Sequence, residues 1–429
     1  MKKLSSVSRS LGERVRRRDA SDEAEKTAPK KPTEPARARP STATERGNDY
    51  SIGDIDFDRH RSESREADDS DGLITVGGGP GALIDILFGG DDDSQRAEDK
   101  DEDATVAIFD SFDSTVSSSD SSHGELVESI FLDAGFEDED IQRFQIGGGG
   151  SLSGLAEGLA DGDEEALQNY VEDRITGLLD STSDGLEEIL DDDDSQIRTI
   201  NQSQSQAEAR VTRDIWEEAK EDDEFRADLA GSLGLPEDAS DEELAQALVD
   251  EVDGVVESSD RIAESRERYD ELSEEAADRG ITHVVTSGNL GSFGRELEDL
   301  GVEVDDDFYT SVLANDHVTV VAAVDDMMTD STRDDASESF NSPFAEAEIA
   351  AAGDVLDPEH DDGPTVRDGT SYAAPKVAAA AALIAAENPD LTHQEIEELL
   401  LETSDRIKAP EGEIGMGVLD LEEALEEAA

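Results

Sequence analysis

Cysteine is absent from the 429 residues, which excludes disulfides and thiolate metal centres. Aromatic residues make up only 4 % of the chain, a scarcity that on its own would suit a disordered polypeptide. Positive charge is also scarce: 35 Lys and Arg stand against 112 Asp and Glu, a formal net charge of −77. Phosphate backbones would be repelled by such a surface, so nucleic acid is excluded as a partner of the body of the protein. No apolar stretch approaches a membrane-spanning length, so no membrane role is expected. The basic start Met1-Lys2-Lys3 has no apolar region behind it, and Arg16-Arg17-Arg18 runs into Asp19 and Ala20. Neither is a good export signal, which makes a cytoplasmic location the expectation.

What the chain does contain argues against wholesale disorder. Residues 1–70 are rich in Ser, Pro, Arg and Glu without hydrophobic period, and read as a disordered low-complexity tail. Residues 71–103 read as a linker carrying a short apolar segment. From 104 onward, compact apolar runs alternate with helical patterns. Ala104–Phe109, Ile197–Asn201, Ile281–Ser287 and Val318–Val324 read as strands. Between the second and third lies an acidic block, 204–280, that reads as helical, with a break near Gly231 to Pro236. Ser240-Asp241-Glu242-Glu243 carries a capping-box signature there, and Thr392-His393-Gln394-Glu395 repeats it near a last amphipathic helix. Strands alternating with helices predict a parallel α/β sheet. A compact state with −77 charges repels itself at low ionic strength. At molar salt the screening length falls to about 3 Å, so the chain reads as a folded, salt-adapted protein.

Functional groups in such sheets collect at the carboxyl ends of strands. Asp110 ends the first strand, Asn289 follows the third, and His123 heads a helical pattern. Asp368-Gly369-Thr370-Ser371-Tyr372-Ala373-Ala374-Pro375 runs into a long series of small residues, which sets Ser371 at the first turn of a buried helix. Unpaired N–H groups and the positive end of the dipole favour developing negative charge there. Pro375 is expected within the same first turn, where its missing N–H costs nothing. The tetrad Asp191-Asp192-Asp193-Asp194 lacks the spacing of a hand-type calcium loop and reads as a solvated charge run.

Asp, His, Ser in that chain order is the subtilisin order. The stretch 369–375 resembles the subtilase serine motif Gly-Thr-Ser-x-Ala-x-Pro. Val106–Ser111 resembles the family's aspartate strand, His123-Gly124 its histidine helix, and Val284–Gly291 the strand and turn of its oxyanion asparagine. Val320–Asp325 and Gly415–Asp420 resemble later segments. The resemblance implies a subtilisin-like domain over 104–429, with 204–280 inserted in it and open to a protein partner. It implies that Asp110, His123 and Ser371 form a triad that hydrolyses peptide bonds, with Asn289 in the oxyanion hole. Asn201, Ser203 and Gly288 would then meet the substrate, a protein or peptide. No cofactor is expected; the family often uses structural calcium, but no ligand motif supports it here. Phe112 stands where the family usually has Gly, Glu125-Leu126 where it has Thr-His, and Asn201-Gln202-Ser203-Gln204-Ser205 where it has a Ser-Leu-Gly strand. These departures leave open a degenerate domain that binds a peptide or partner without cleaving it.

Overall fold

The run Val106-Ala107-Ile108-Phe109 has no polar side, so as a strand it must be covered on both faces. In the computed structural model, which describes residues 105–112, 121–192, 195–305, 307–325, 336–343, 345–358, 365–407 and 414–429, it forms β1 (Thr105–Asp110). The expected tail 1–70, the segment 71–103, and Asp193 and Asp194 lie outside the described residues. Alternation sends Ala107 and Phe109 into one core and Val106 and Ile108 into the other. The remaining strands are β2 (Ile141–Gln145), β3 (Ile197–Gln202), β4 (Thr282–Thr286), β5 (Val318–Asp325), β6 (Ala336–Ser337), β7 (Ile349–Ala352), β8 (Asp354–Asp357) and β9 (Thr365–Asp368).

Six of them form a parallel sheet in the order β2-β1-β3-β4-β5-β7. β6 pairs antiparallel with the end of β5. Because Val324 has both Ser337 and Ala352 as register partners, β6 and β7 flank β5 on opposite sides. β8 and β9 make a separate antiparallel ribbon. Beyond β7 the segment 415–419 continues the hydrogen bonding: Met416 N–H donates to the Glu348 carbonyl at 2.7 Å, and Ala350 N–H donates to the Gly417 carbonyl at 2.9 Å. Gly415 has φ +65°, and a Cβ there would lie 2.1 Å from the Glu348 backbone, so this close approach admits only glycine.

Eleven helices cover the sheet among the described residues: α1 (His123–Asp133), α2 (Leu152–Asp161), α3 (Ala166–Asp191), α4 (Glu208–Glu221), α5 (Asp223–Ser232), α6 (Asp241–Ser258), α7 (Asp260–Asp278), α8 (Gly291–Leu300), α9 (Thr370–Glu387), α10 (His393–Thr403) and α11 (Leu421–Ala428). α2 to α8 bury their apolar stripes in one core, while α1, α9, α10 and α11 share the other. The result is a three-layer α/β fold, as the alternation of elements predicts. No described helix is long and apolar enough to cross a membrane.

The reciprocal caps at Ser240 with Glu243 and Thr392 with Glu395 form as their motifs predict. The block 204–280 is broken at two further points, where Asp222 and Ser259 cap α5 and α7. Neither break carries Gly or Pro, so it gives no punctuation in the sequence. Of the parallel sheet, two strands go unread for similar reasons, and β6, β8 and β9 outside it go unread as well. β2 is an edge strand with only Ile141 and Phe144 buried. The helix-favouring Ile349-Ala350-Ala351-Ala352 is held as a strand by β5 and 415–419, a tertiary override of propensity. Pro375 also departs from expectation. Gly369 is the N-cap, so the proline occupies the second turn of α9. Its absent N–H leaves the Ser371 carbonyl without its i+4 donor.

Candidate active site

Asp110, at the carboxyl end of β1, is fully buried. Its Oδ1 accepts the Ser111 N–H at 2.6 Å and faces Nδ1 of His123 at 2.7 Å. A carboxylate only accepts, so Nδ1 carries the proton and Nε2 of the neutral ring is left as an acceptor. Burial pulls the pKa of His123 down, but the hydrogen bond and charge of Asp110 outweigh it, and the net shift is upward. The side chain stays 37 % exposed, so the ring is reachable from solvent.

The two departures noted around this histidine acquire structural explanations. Ser122 Oγ accepts the Glu125 N–H at 3.2 Å, and the Glu125 carboxylate accepts the Ser122 N–H at 2.6 Å. Glu125 thus completes a capping box that fixes the first turn of α1, the turn carrying His123. The Phe112 ring lies over Gly124, where a Cβ would come within 2.7 Å of it. Its N–H donates to Gln145 Oε1 at 2.8 Å, so Phe112 joins the β1 exit to β2 and to the histidine helix.

Ser371 is the second residue of α9, so its N–H has no acceptor inside the helix. Thr370, just before it, donates twice to Asn289 Oδ1: from N–H at 3.0 Å and from Oγ1 at 2.9 Å. Because a backbone N–H can only donate, the atom it meets must be the amide oxygen. The Asn289 Nδ2 group is therefore turned away from Thr370. A Cβ built on Gly369 would stand 3.2 Å from that nitrogen and 3.8 Å from the Ser371 nitrogen. Both nitrogens thus lie on the side of Gly369 where a side chain would stand.

The Ser371 hydroxyl donates to the Ser203 carbonyl at 3.0 Å. The His123 ring lies beside the next residue, its centroid 5.7 Å from that of Tyr372. The structure therefore brings Asp110 to His123, and Asn289 and Ser203 to Ser371, with the serine hydroxyl turned to the carbonyl. Asn201 is fully buried and donates from Nδ2 to Ser203 Oγ at 3.0 Å, which supports the Ser203 segment from beneath. Gly288 adopts φ +93° and is closed over by the hydroxyls of Ser205 and Ser342, each 2.9 Å from where a Cβ would stand. Ser342 also accepts the Leu290 N–H at 3.3 Å, which holds the turn carrying Asn289.

Sequence reading gave no role to Ser122 or Thr286, took Thr370 only as part of the serine motif, and took Ser203 as a substrate residue without foreseeing that its carbonyl would meet the Ser371 hydroxyl. Ser122-x-x-Glu125 was visible as a capping signature. Thr286 and the Ser203 carbonyl reach the serine turn only in space, and no local signal marks them. Of the histidines outside the site, His283 is fully buried, and burial, then the charge of His393, pushes its pKa down to about 3. Among the described residues no group of three or more metal-ligating side chains is placed to hold an ion.

Comparison with known proteins bears on the fold and the family. No curated protein sequence matches the chain. Among solved structures, the crystal structure of a lanthipeptide protease is similar at 15 % identity and a TM-score of 0.40, covering 76 % of this chain and 88 % of that one. A protease from Pseudoalteromonas arctica is similar at 21 % identity and a TM-score of 0.27, covering 38 % of this chain and 47 % of that one. The subtilase family matches residues 179–417. That span is more than half of the chain and contains Asn289 and Ser371; Asp110 and His123 precede it. The chain therefore belongs to the subtilase family of serine peptidases.

Proposed function

We propose that the protein is a serine endopeptidase in which Asp110, His123 and Ser371 act as the triad and Asn289 supplies an oxyanion donor. The observation that carries this reading is the buried Asp110 on His123 Nδ1, beside a helix N-terminus where the Ser371 nitrogen and Asn289 Nδ2 both lie next to Gly369. Ser371 Oγ rotates from the Ser203 carbonyl to His123 Nε2, gives up its proton and attacks the scissile carbon. The Ser371 N–H and Asn289 Nδ2 receive the oxyanion. His123 then passes its proton to the leaving amine, and water repeats the sequence on the acyl-enzyme. Asp110 stabilises the imidazolium without becoming protonated.

The same reading includes adaptation to high salt. Support comes from carboxylates that crowd one another: burial, then Asp253, Asp307, Glu257 and Asp305, push the Glu208 pKa up to about 8. Burial, then Asp325, Asp368 and Asp354, also raise that of Glu338. Screening relieves such repulsion, so the thermal midpoint should rise from 0.1 M to molar salt.

A second reading is a degenerate domain that binds peptides without cleaving them. The serine hydroxyl donating to Ser203 favours it. A fluorophosphonate probe at molar salt separates the two. Labelling of the wild type and not of Ser371→Ala supports the peptidase; absence of labelling from folded wild type supports the binding module.

A further inference from the structure

Thr286 closes β4 and is 2 % exposed. Its Oγ1 lies 2.6 Å from Thr370 Oγ1, in a fully enclosed contact. Each hydroxyl has one proton, and the direction of both bonds can be deduced. Asn289 Oδ1, identified by the Thr370 N–H it accepts, has no proton to give. The 2.9 Å contact between it and Thr370 Oγ1 must therefore use the Thr370 proton. That proton is then unavailable to Thr286, so Thr286 is the donor to Thr370. The hydroxyls form a one-way chain, Thr286 to Thr370 to Asn289, and each bond polarises the next. Thr286 is β-branched and sits in a parallel strand, so its rotamer freedom is small.

We infer that Thr286 is a positioning residue for the oxyanion amide, acting through Thr370; the inference rests on the peptidase reading above. Its hydroxyl donates to Thr370 Oγ1 and so strengthens and fixes the bond from Thr370 to Asn289 Oδ1, which holds Nδ2 toward Gly369 and the Ser371 N–H. Without it, the Thr370 hydroxyl keeps an unpaired lone pair in a dry site and is free to turn. The Thr370 hydroxyl bond to Asn289 Oδ1 is then weaker and less fixed in direction, because it has lost the donor that polarised it. An amide that must be reoriented during the reaction loses part of the stabilisation that a preorganised donor gives. The loss falls on the transition state and not on substrate binding.

The test is steady-state hydrolysis of a chromogenic peptide anilide at molar salt by wild type, Thr286→Val and Thr286→Ser. Thr286→Val keeps the shape and removes the donor; kcat should fall by about 10-fold with KM within about 2-fold. Thr286→Ser restores the hydroxyl and should return kcat to within about 2-fold of wild type. An unchanged kcat in Thr286→Val, a loss confined to KM, or a serine variant as impaired as the valine one overturns the assignment. Thr286→Ala replaces the valine variant if that protein does not melt cooperatively. If folded wild type hydrolyses no peptide, the peptidase reading fails by itself. The inference is then decided by the Asn289 side-chain amide resonances, identified by their loss in Asn289→Asp. They should shift in Thr286→Val and not in Thr286→Ser, and resonances unmoved in both overturn it.

Discussion

The two layers that cover the sheet are built on opposite rules. On the α9 side, packing rests on alanine: Ala373, Ala374 and Ala378 to Ala382 are all buried, and the helix lies directly on β3, β4 and β5. Small side chains bring backbone close to backbone, and the hydroxyls and amides at the strand ends meet across short, fixed distances. On the other side, α4 to α7 bury Trp216, Tyr269, Leu244 and Leu248. Their rim is laced with ion pairs such as Arg226–Asp241 and Arg268–Asp184. Long side chains interdigitate there and tolerate rearrangement better than contacts between backbones do. The contrast teaches where precision is needed: one layer fixes the groups around Ser371, while the other supplies buried area and carries ion pairs.

The sharpest test of the contrast removes the charge beneath His123. Asp110→Asn should lower kcat by about 10⁴-fold. It should also move the acid limb of kcat/KM. In the wild type the limb should lie above the ordinary histidine value of about 6.5, because Asp110 raises the His123 pKa. With the carboxylate gone only the lowering effect of burial remains, so the limb should move to lower pH. A pH–rate profile of both proteins checks the direction.

In the opposite layer, Trp216→Ala should cost about 3–5 kcal/mol of stability in denaturant titration. Probe labelling of the remaining folded protein should be unaffected. Comparable slowing of labelling would show that the two layers are not separable. Gly369→Ala is the reverse case. Its φ of 163° is extended backbone open to any residue, so stability should hardly change. The new methyl group would crowd Asn289 Nδ2 at 3.2 Å and approach the Ser371 nitrogen at 3.8 Å, however, and on the proposed oxyanion role of these groups kcat should fall by about 100- to 1,000-fold. Glu125→Ala, the smallest change, should lose a capping interaction of about 1 kcal/mol, read as a lower thermal midpoint.

The same contrast decides what the sequence could tell. Strands β1 and β5 were legible because a strand covered on both faces is a nearly continuous apolar run, and β3 and β4 because β-branched residues recur along them. The serine helix was legible because small residues and a glycine entrance are local features. Asp110, His123, Asn289 and Ser371 could be picked out from strand ends, helix starts and a motif of known chain order. β2 and β7 could not, since an edge strand needs only two buried side chains and alanines follow whichever partner holds them. The Thr286 to Asn289 chain lay further out of reach. It joins residues 84 positions apart at Thr286 and Thr370, and a threonine at the end of a strand is otherwise unremarkable.

The segment 415–419, bonded along β7, has a consequence for how the molecules behave in company. A parallel sheet exposes two rows of unpaired amides, each a template on which another chain could add a strand. At β2, whose outer side has no strand partner among the described residues, the guard is charge, with Arg143 holding Glu128 and Asp138. At β7 the guard is the chain itself, locked in by Gly415 against Glu348. Concentrated salt weakens the first kind of protection and leaves the second intact. If concentrated salt calms the internal repulsion of this chain as proposed, it also disarms one border of the described sheet, and sheet-to-sheet association at high protein concentration should begin from β2.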